Sequence, residues 1–254
     1  MKLDELFLSP HQDLDGHISH LIRDFHEQDD SQQPYDRSRF TEWLSLATMP
    51  GGEMSLPDYV SRLSRLLPGA SHLASPRYMG HMTAPLPAFT GELSRLLVML
   101  NQNPMKMESS RLLTFLEREV MAKLHHLVFE RSDDFYQQHM HGKDAALGVM
   151  TSGGTIANVT ALWLARNRAC GDNLFRLFEQ GWRGMAVIGS RLMHYSFDKG
   201  MDLLGGGAHQ VIRLPVDEHN RLQLAALEAE LARCKAERIK VIALVGVAGT
   251  TDFG

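Results

Sequence analysis

The stretch Thr151–Ala169, TSGGTIANVTALWLARNRA, joins a glycine pair to a run with helical spacing, and its surroundings decide the fold. Ahead of it lies the short apolar run LGVM, Leu147–Met150. Behind the glycines come Ile156, Val159, Leu162, Trp163 and Leu164. The reading is strand, glycine turn, helix. Such a junction collects unpaired backbone N–H groups and the positive end of the helix dipole, and it attracts an anion, commonly a phosphate. Gly153 and Gly154 allow close approach, Thr155 adds a hydroxyl, and Asn158 in the first turn is placed to orient the loop. Taken alone, an ordinary strand-to-helix turn explains the segment as well. There is no GxGxxG, since Gly205, Gly206 and Gly207 run into Ala208, His209 and Gln210, and no GxxxxGK(S/T).

Outward from this junction the second half alternates. Apolar runs at Leu147–Met150, Met185–Gly189, Gln210–Leu214 and Lys240–Ala248 are separated by helix-like segments near Thr155–Cys170, Ser196–Leu204 and Gln223–Lys235. Short apolar strands with helical crossovers predict a parallel sheet covered on both faces. The first half is helical, with Leu14, Ile18, Leu21, Ile22 and Phe25, then Val60, Leu63, Leu66 and Leu67, then Leu112, Leu116, Val120, Leu124 and Leu127 at helical spacing. The texture changes around Gln137–Asp144. This sets an expected division into a helical segment, residues 1–140, and the beginning of an α/β domain, residues 141–254.

Composition narrows the function. A chain of 254 residues can bury a sizeable core, and a net charge of -4 gives no broad attraction to nucleic acid or anionic lipid. The amino terminus MKLDELFLSP lacks a signal-peptide pattern, and VIALVGVA, Val241–Ala248, is too short to span a membrane. A cytoplasmic protein acting on a small molecule is expected. Cys170 and Cys234, with no CxxC, read as two buried thiols. His125-His126 and His139-Met140-His141 lack the HExxH pattern or a completing ligand set, so no metal site is expected. The face bearing Arg111, Glu117, Arg118 and Glu119 reads as solvated.

Two further polar clusters follow strands. SRLMHYSFDKGMDLLG, Ser190–Gly205, places His194 at the start of a helix beyond MAVIG, and AGTT, Ala248–Thr251, follows the last apolar run. Ligands of open α/β sheets sit at such carboxyl ends. With PRYMGHMTAPLP, NQNPMKMESSRLLTFLEREV, TSGGTIANVTAL, HYSFDKGMDLLG and VGVAGTTDFG in that order, the chain from about Ser75 onward resembles the group II pyridoxal-phosphate-dependent amino-acid decarboxylases. Within them it is most similar to the bacterial aspartate 1-decarboxylases, with glutamate decarboxylases next.

The resemblance implies an aspartate-aminotransferase-like (fold type I) α/β domain with a mostly parallel sheet, preceded by helices that pack in a homodimer. It implies pyridoxal 5'-phosphate as cofactor and a small acidic amino acid as substrate, aspartate going to β-alanine or glutamate to γ-aminobutyrate. Gly153, Gly154 and Thr155 match the phosphate-binding loop, His194 the catalytic histidine stacked on the ring, and Thr251 a threonine beside it. Thr83 and Asn103 fall in loops on the substrate side.

The family also places an aspartate for the ring nitrogen, and a lysine preceded by histidine, downstream of AGTT. None of Lys2, Lys106, Lys123, Lys143, Lys199, Lys235 or Lys240 follows a histidine, and Lys199 reads as a solvated helix residue. Nothing after the last apolar run covers it, so either that strand is central under earlier helices, or the chain is the amino-terminal part of a longer decarboxylase and inactive alone. The second is the expectation here. A non-catalytic binding or assembly module is the alternative, and an open reading frame continuing to a histidine-lysine pair would exclude it.

Overall fold

The helical spacing of the first half is realised as helices. The computed structural model describes residues 12–27, 52, 54–73, 75, 78, 86–142, 144–171, 173 and 175–253. Its backbone divides into two units, residues 1–101 and 102–254. The first holds α1 (Gln12–Glu27), α2 (Leu56–Leu66) and α3 (Phe89–Leu100). α2 starts where Ser55 Oγ accepts from Asp58 N at 3.3 Å and Pro57 sits in the first turn, where its missing N–H costs nothing. α3 leaves Phe89, Leu93, Leu96, Val98 and Met99 exposed.

The second unit holds α4 (Met107–Ser110), α5 (Leu112–Phe129), α6 (Asp133–His139), α7 (Gly154–Cys170), α8 (Phe175–Glu179), β1 (Gly184–Ser190), α9 (Ser196–Leu203), β2 (Val211–Leu214), α10 (Leu224–Ala236) and β3 (Ile239–Val245). The strands are parallel in the order β2-β1-β3, with Val187 opposite Val211 and Gly189 opposite Val245. Successive side chains of a strand point to opposite faces. Val187 and Met185 therefore join Leu162 of α7 and Met201 of α9 in one cluster, while Ile188 joins Leu214 and Cys234 of α10 in another. Val187 and Ile188 have no exposed surface, so the central strand is covered on both sides as its unbroken apolar sequence predicts.

One expectation about strands is corrected. Leu147–Met150 is not a strand but an irregular segment beside α5, where Met150 N donates to Glu117 Oε1 at 3.4 Å and Gly148 backs onto Met121. A side chain takes the N–H that a ladder would have used. Among the described residues β3 pairs with β1 alone, so of the two readings of this strand the central one is not the one seen. α7 and α10 nevertheless pack on it, through Ile242, Ala243 and Val245 on one face and Ile239 and Val241 on the other.

Both cysteines are free and buried, and burial pushes the Cys234 thiol above its ordinary range. Among the described residues no helix is long and apolar enough to cross a membrane.

α7 and α9 cross closely because Gly200 has no side chain. A Cβ there would stand 2.8 Å from Leu162 Cδ1 and 3.4 Å from Val159 Cγ2. Leu162 is 2% exposed and has no room to turn away. Gly200→Ala is therefore expected to destabilise the second unit by about 1–3 kcal/mol despite alanine's better helix propensity, read as a lower urea midpoint.

Candidate active site

The site begins at the amino end of α7. Gly153 precedes the helix with φ 165 and ψ 167, extended backbone, and no side chain caps the first turn. Ala157 N donates to Gly153 O at 3.1 Å, closing the first intrahelical bond, so the N–H groups before it have no helical acceptor. Gly153, Gly154 and Thr155 are exposed, and a Cβ built on either glycine meets nothing within 4 Å. This is an open, uncapped end of a 17-residue helix, with its dipole unopposed.

One turn further, Asn158 Nδ2 donates to Ser196 Oγ at 2.8 Å. Ser196 opens α9, and its Oγ lies 2.9 Å from His194 Nδ1. The Asn158–Ser196 bridge thus ties the loop that bears His194 to the first turns of α7.

Arg213 of β2 pins that loop from the other side. Its Nη1 donates to Met193 O at 2.7 Å, and its Nη2 meets Asp198 Oδ2 at 2.5 Å. Both members of the ion pair keep about a third of their side-chain surface, so its weight is positional more than energetic. The Tyr195 ring is 4.2 Å from that of His194, and Lys199 Nζ lies 4.6 Å over Tyr195. Lys199 is exposed, as a solvated helix residue should be.

Thr251 sits in a turn beyond β3 in which Phe253 N donates to Thr250 Oγ1 at 3.2 Å. Because β1 and β3 are parallel neighbours, the loops bearing His194 and Thr251 leave the same edge of the sheet.

Asn103 is in a different setting. Its Oδ1 accepts from Met105 N at 3.0 Å, and it lines a cavity of about 460 Å³ with Thr114, Glu117, Arg118 and Leu147–Met150. Neither His194 nor Gly154 lines that cavity, though its wall ends at the residue before Thr151. Thr83 lies outside the described residues.

The paired histidines pack against rings. His125 Nδ1 is 3.0 Å from Tyr136 Oη, and its ring lies 4.4 Å from Phe129, while that of His141 lies 5.0 Å from Phe115.

Ser196 and Arg213 were not singled out from the sequence. A serine two residues after a candidate histidine, at the start of a helix, was the available signal for Ser196. Nothing local marks Arg213, which acts across 15 to 20 residues.

The fold has known counterparts. A model of the pyridoxal-dependent decarboxylase conserved domain matches residues 59–254. The chain belongs to that family, and its cofactor is pyridoxal phosphate. It is 44% identical over 214 residues to aspartate 1-decarboxylase of Aliivibrio fischeri, covering 78% of this chain and 39% of that one. It is 33% identical over 181 residues to L-2,4-diaminobutyrate decarboxylase of Rhizobium meliloti, covering 70% and 32%. Among solved structures, Catharanthus roseus tryptophan decarboxylase in complex with L-tryptophan superposes with a TM-score of 0.78 at 18% identity, over 99% of this chain and 52% of that one. Mouse CSAD in apo form gives 0.76 at 22%, over 94% and 49%. The chain thus spans about a third to a half of the proteins it matches.

Proposed function

We propose that a protein carrying this chain removes the α-carboxyl group of an acidic amino acid with the help of pyridoxal phosphate, aspartate first and glutamate next. The carrying observation is the 44% identity to the Aliivibrio fischeri aspartate 1-decarboxylase, against 33% to the diaminobutyrate enzyme. When bound, the cofactor supplies a conjugated ring that accepts the electron pair left as carbon dioxide departs. The open end of α7 fits its other feature, a phosphate, since uncapped N–H groups and the helix dipole both favour an anion.

In this reading the backbone at Gly153 and Gly154 and the hydroxyl of Thr155 hold the phosphate. His194 stacks on the ring and orients it, Thr251 lies beside it, and Asn103 and Thr83 belong to the substrate side. The chain covers 39% of its aspartate-decarboxylating relative, so the lysine for covalent attachment and the acid facing the ring nitrogen are assigned to the remainder. A homodimer is part of the proposal, supported by the apolar side chains that α3 and α5 leave exposed.

The test is carbon dioxide release by the full-length protein, supplied with pyridoxal phosphate, from aspartate, glutamate and 2,4-diaminobutyrate. The largest kcat/KM should be for aspartate. Release from none of them would overturn the reading, and preference for the diamino acid would overturn the substrate class alone.

The phosphate assignment makes an asymmetric prediction at Gly153. Its backbone is extended and its Cβ position open, so aspartate fits there and caps α7, adding a few tenths of a kcal/mol to stability. The same carboxylate occupies the place of the phosphate. Gly153→Asp is expected to hold or raise the melting temperature while weakening pyridoxal phosphate binding roughly tenfold or more, followed by fluorescence titration.

A further inference from the structure

His194 has two ring nitrogens, and the structure distinguishes them. Nδ1 faces inward, 2.9 Å from Ser196 Oγ and 3.2 Å from the backbone N of Ser196. A backbone N–H can only donate, so Nδ1 must present its lone pair there; a proton on Nδ1 would point at another hydrogen. The same bond explains the local fold. The N–H of Ser196 is among the donors that the first turn of α9 leaves without a helical acceptor, Tyr195 provides no side-chain cap, and the imidazole supplies the missing lone pair.

Asn158 reinforces this. Its Nδ2 donates to Ser196 Oγ at 2.8 Å, which occupies an acceptor site on the hydroxyl and leaves the hydroxyl hydrogen to be directed at Nδ1. Ser196 has no exposed surface, so water does not compete for these bonds. Donor-to-acceptor order therefore runs Asn158, Ser196, His194 Nδ1.

We propose that Ser196 and Asn158 are positioning residues that fix His194 as the Nε2–H tautomer, with the ring edge bearing Nε2 presented as a hydrogen-bond donor beside the amino end of α7. The tautomer rests on this chain's geometry alone, while its use toward a bound cofactor or substrate rests on the function proposed above. An imidazole so held cannot swap its donor and acceptor edges without losing two hydrogen bonds.

The test is long-range proton–nitrogen NMR on the 254-residue chain carrying ¹⁵N-histidine, without cofactor, with the His194 signal identified by its loss in His194→Gln. The expected spectrum has a pyridine-type Nδ1 and a pyrrole-type Nε2. Ser196→Ala removes one of the two donors and should raise the share of the Nδ1–H form roughly two- to tenfold. Asn158→Asp keeps the shape but offers only acceptors, which draws the serine hydroxyl hydrogen away from His194 and should shift the populations in the same direction. A backbone amide fingerprint matching the parent establishes that each variant is folded.

A pyrrole-type Nδ1 in the parent chain, or tautomer populations unmoved in both folded variants, would overturn the inference. A purely structural role for Ser196 and Asn158 predicts that second result. Failure of the function shows elsewhere: an Nε2–H histidine in a protein that releases no carbon dioxide would leave this assignment standing and remove only its catalytic use.

Discussion

Alanine at His194 is expected to cut carbon dioxide release by the full-length protein by about a hundredfold or more, the scale at which a group acting on the reacting atoms is missed. The cost to folding should be far smaller. The ring is exposed, and its inward contacts are the bonds from Ser196, a loss of about 1 kcal/mol. Steady-state rates and urea unfolding of the same sample separate the two. Cofactor affinity should weaken by roughly two- to tenfold, the worth of a stacked aromatic pair beyond its area. His194→Phe provides the contrast, because it restores stacking without a ring N–H. Recovered affinity with a still-depressed kcat is the expected pattern, and an unchanged kcat in His194→Ala would remove the residue from the site.

Leu162→Ala carries the largest expected effect on folding. Leu162 is 2% exposed and packs in the cluster that joins α7, α9 and β1, so its truncation should destabilise by about 2–5 kcal/mol. The value depends on how far the surroundings collapse, and here one neighbour has something to offer. Gly200 lies where an added Cβ would be 2.8 Å from Leu162 Cδ1. With Leu162 truncated, that Cβ meets space instead of a methyl group. Leu162→Ala combined with Gly200→Ala should cost less than the two changes summed, by an amount a double-mutant cycle in urea can resolve. Strict additivity would mean that the two positions do not share that volume.

The parts of the fold that the sequence made legible are those specified by neighbours a few residues away. α7, α9 and α10 fall within a residue or two of their apolar spacing, and MAVIG and QVIRL become β1 and β2, because periodicity and turn residues are local properties. LGVM has the same apolar texture and is no strand. A ladder needs a second backbone alongside, and Met150 N donates instead to the side chain of Glu117, 33 residues earlier in the chain. For the same reason nothing in IKVIALV states how many partners β3 has, and its pairing with β1 is known only from the packed sheet.

The site divides along the same line. Gly153, Gly154 and Thr155 were legible as candidates because a glycine pair opening a helix is itself an anion-attracting geometry, and His194 because it follows a strand at the ligand-bearing edge. Arg213 was not, and the bridge from Asn158 to Ser196 spans 38 residues.

By itself, then, the sequence determined the class of fold and the family, and it nominated the residues proposed to face a phosphate and a ring. Only the tertiary structure decided which strand is central, which side chains hold His194, and which of its nitrogens is turned outward. Apolar patterning survives averaging over many arrangements, whereas a hydrogen bond requires one donor and one acceptor within about 3 Å and in line. That condition is met only once α7, α9 and β2 have packed together.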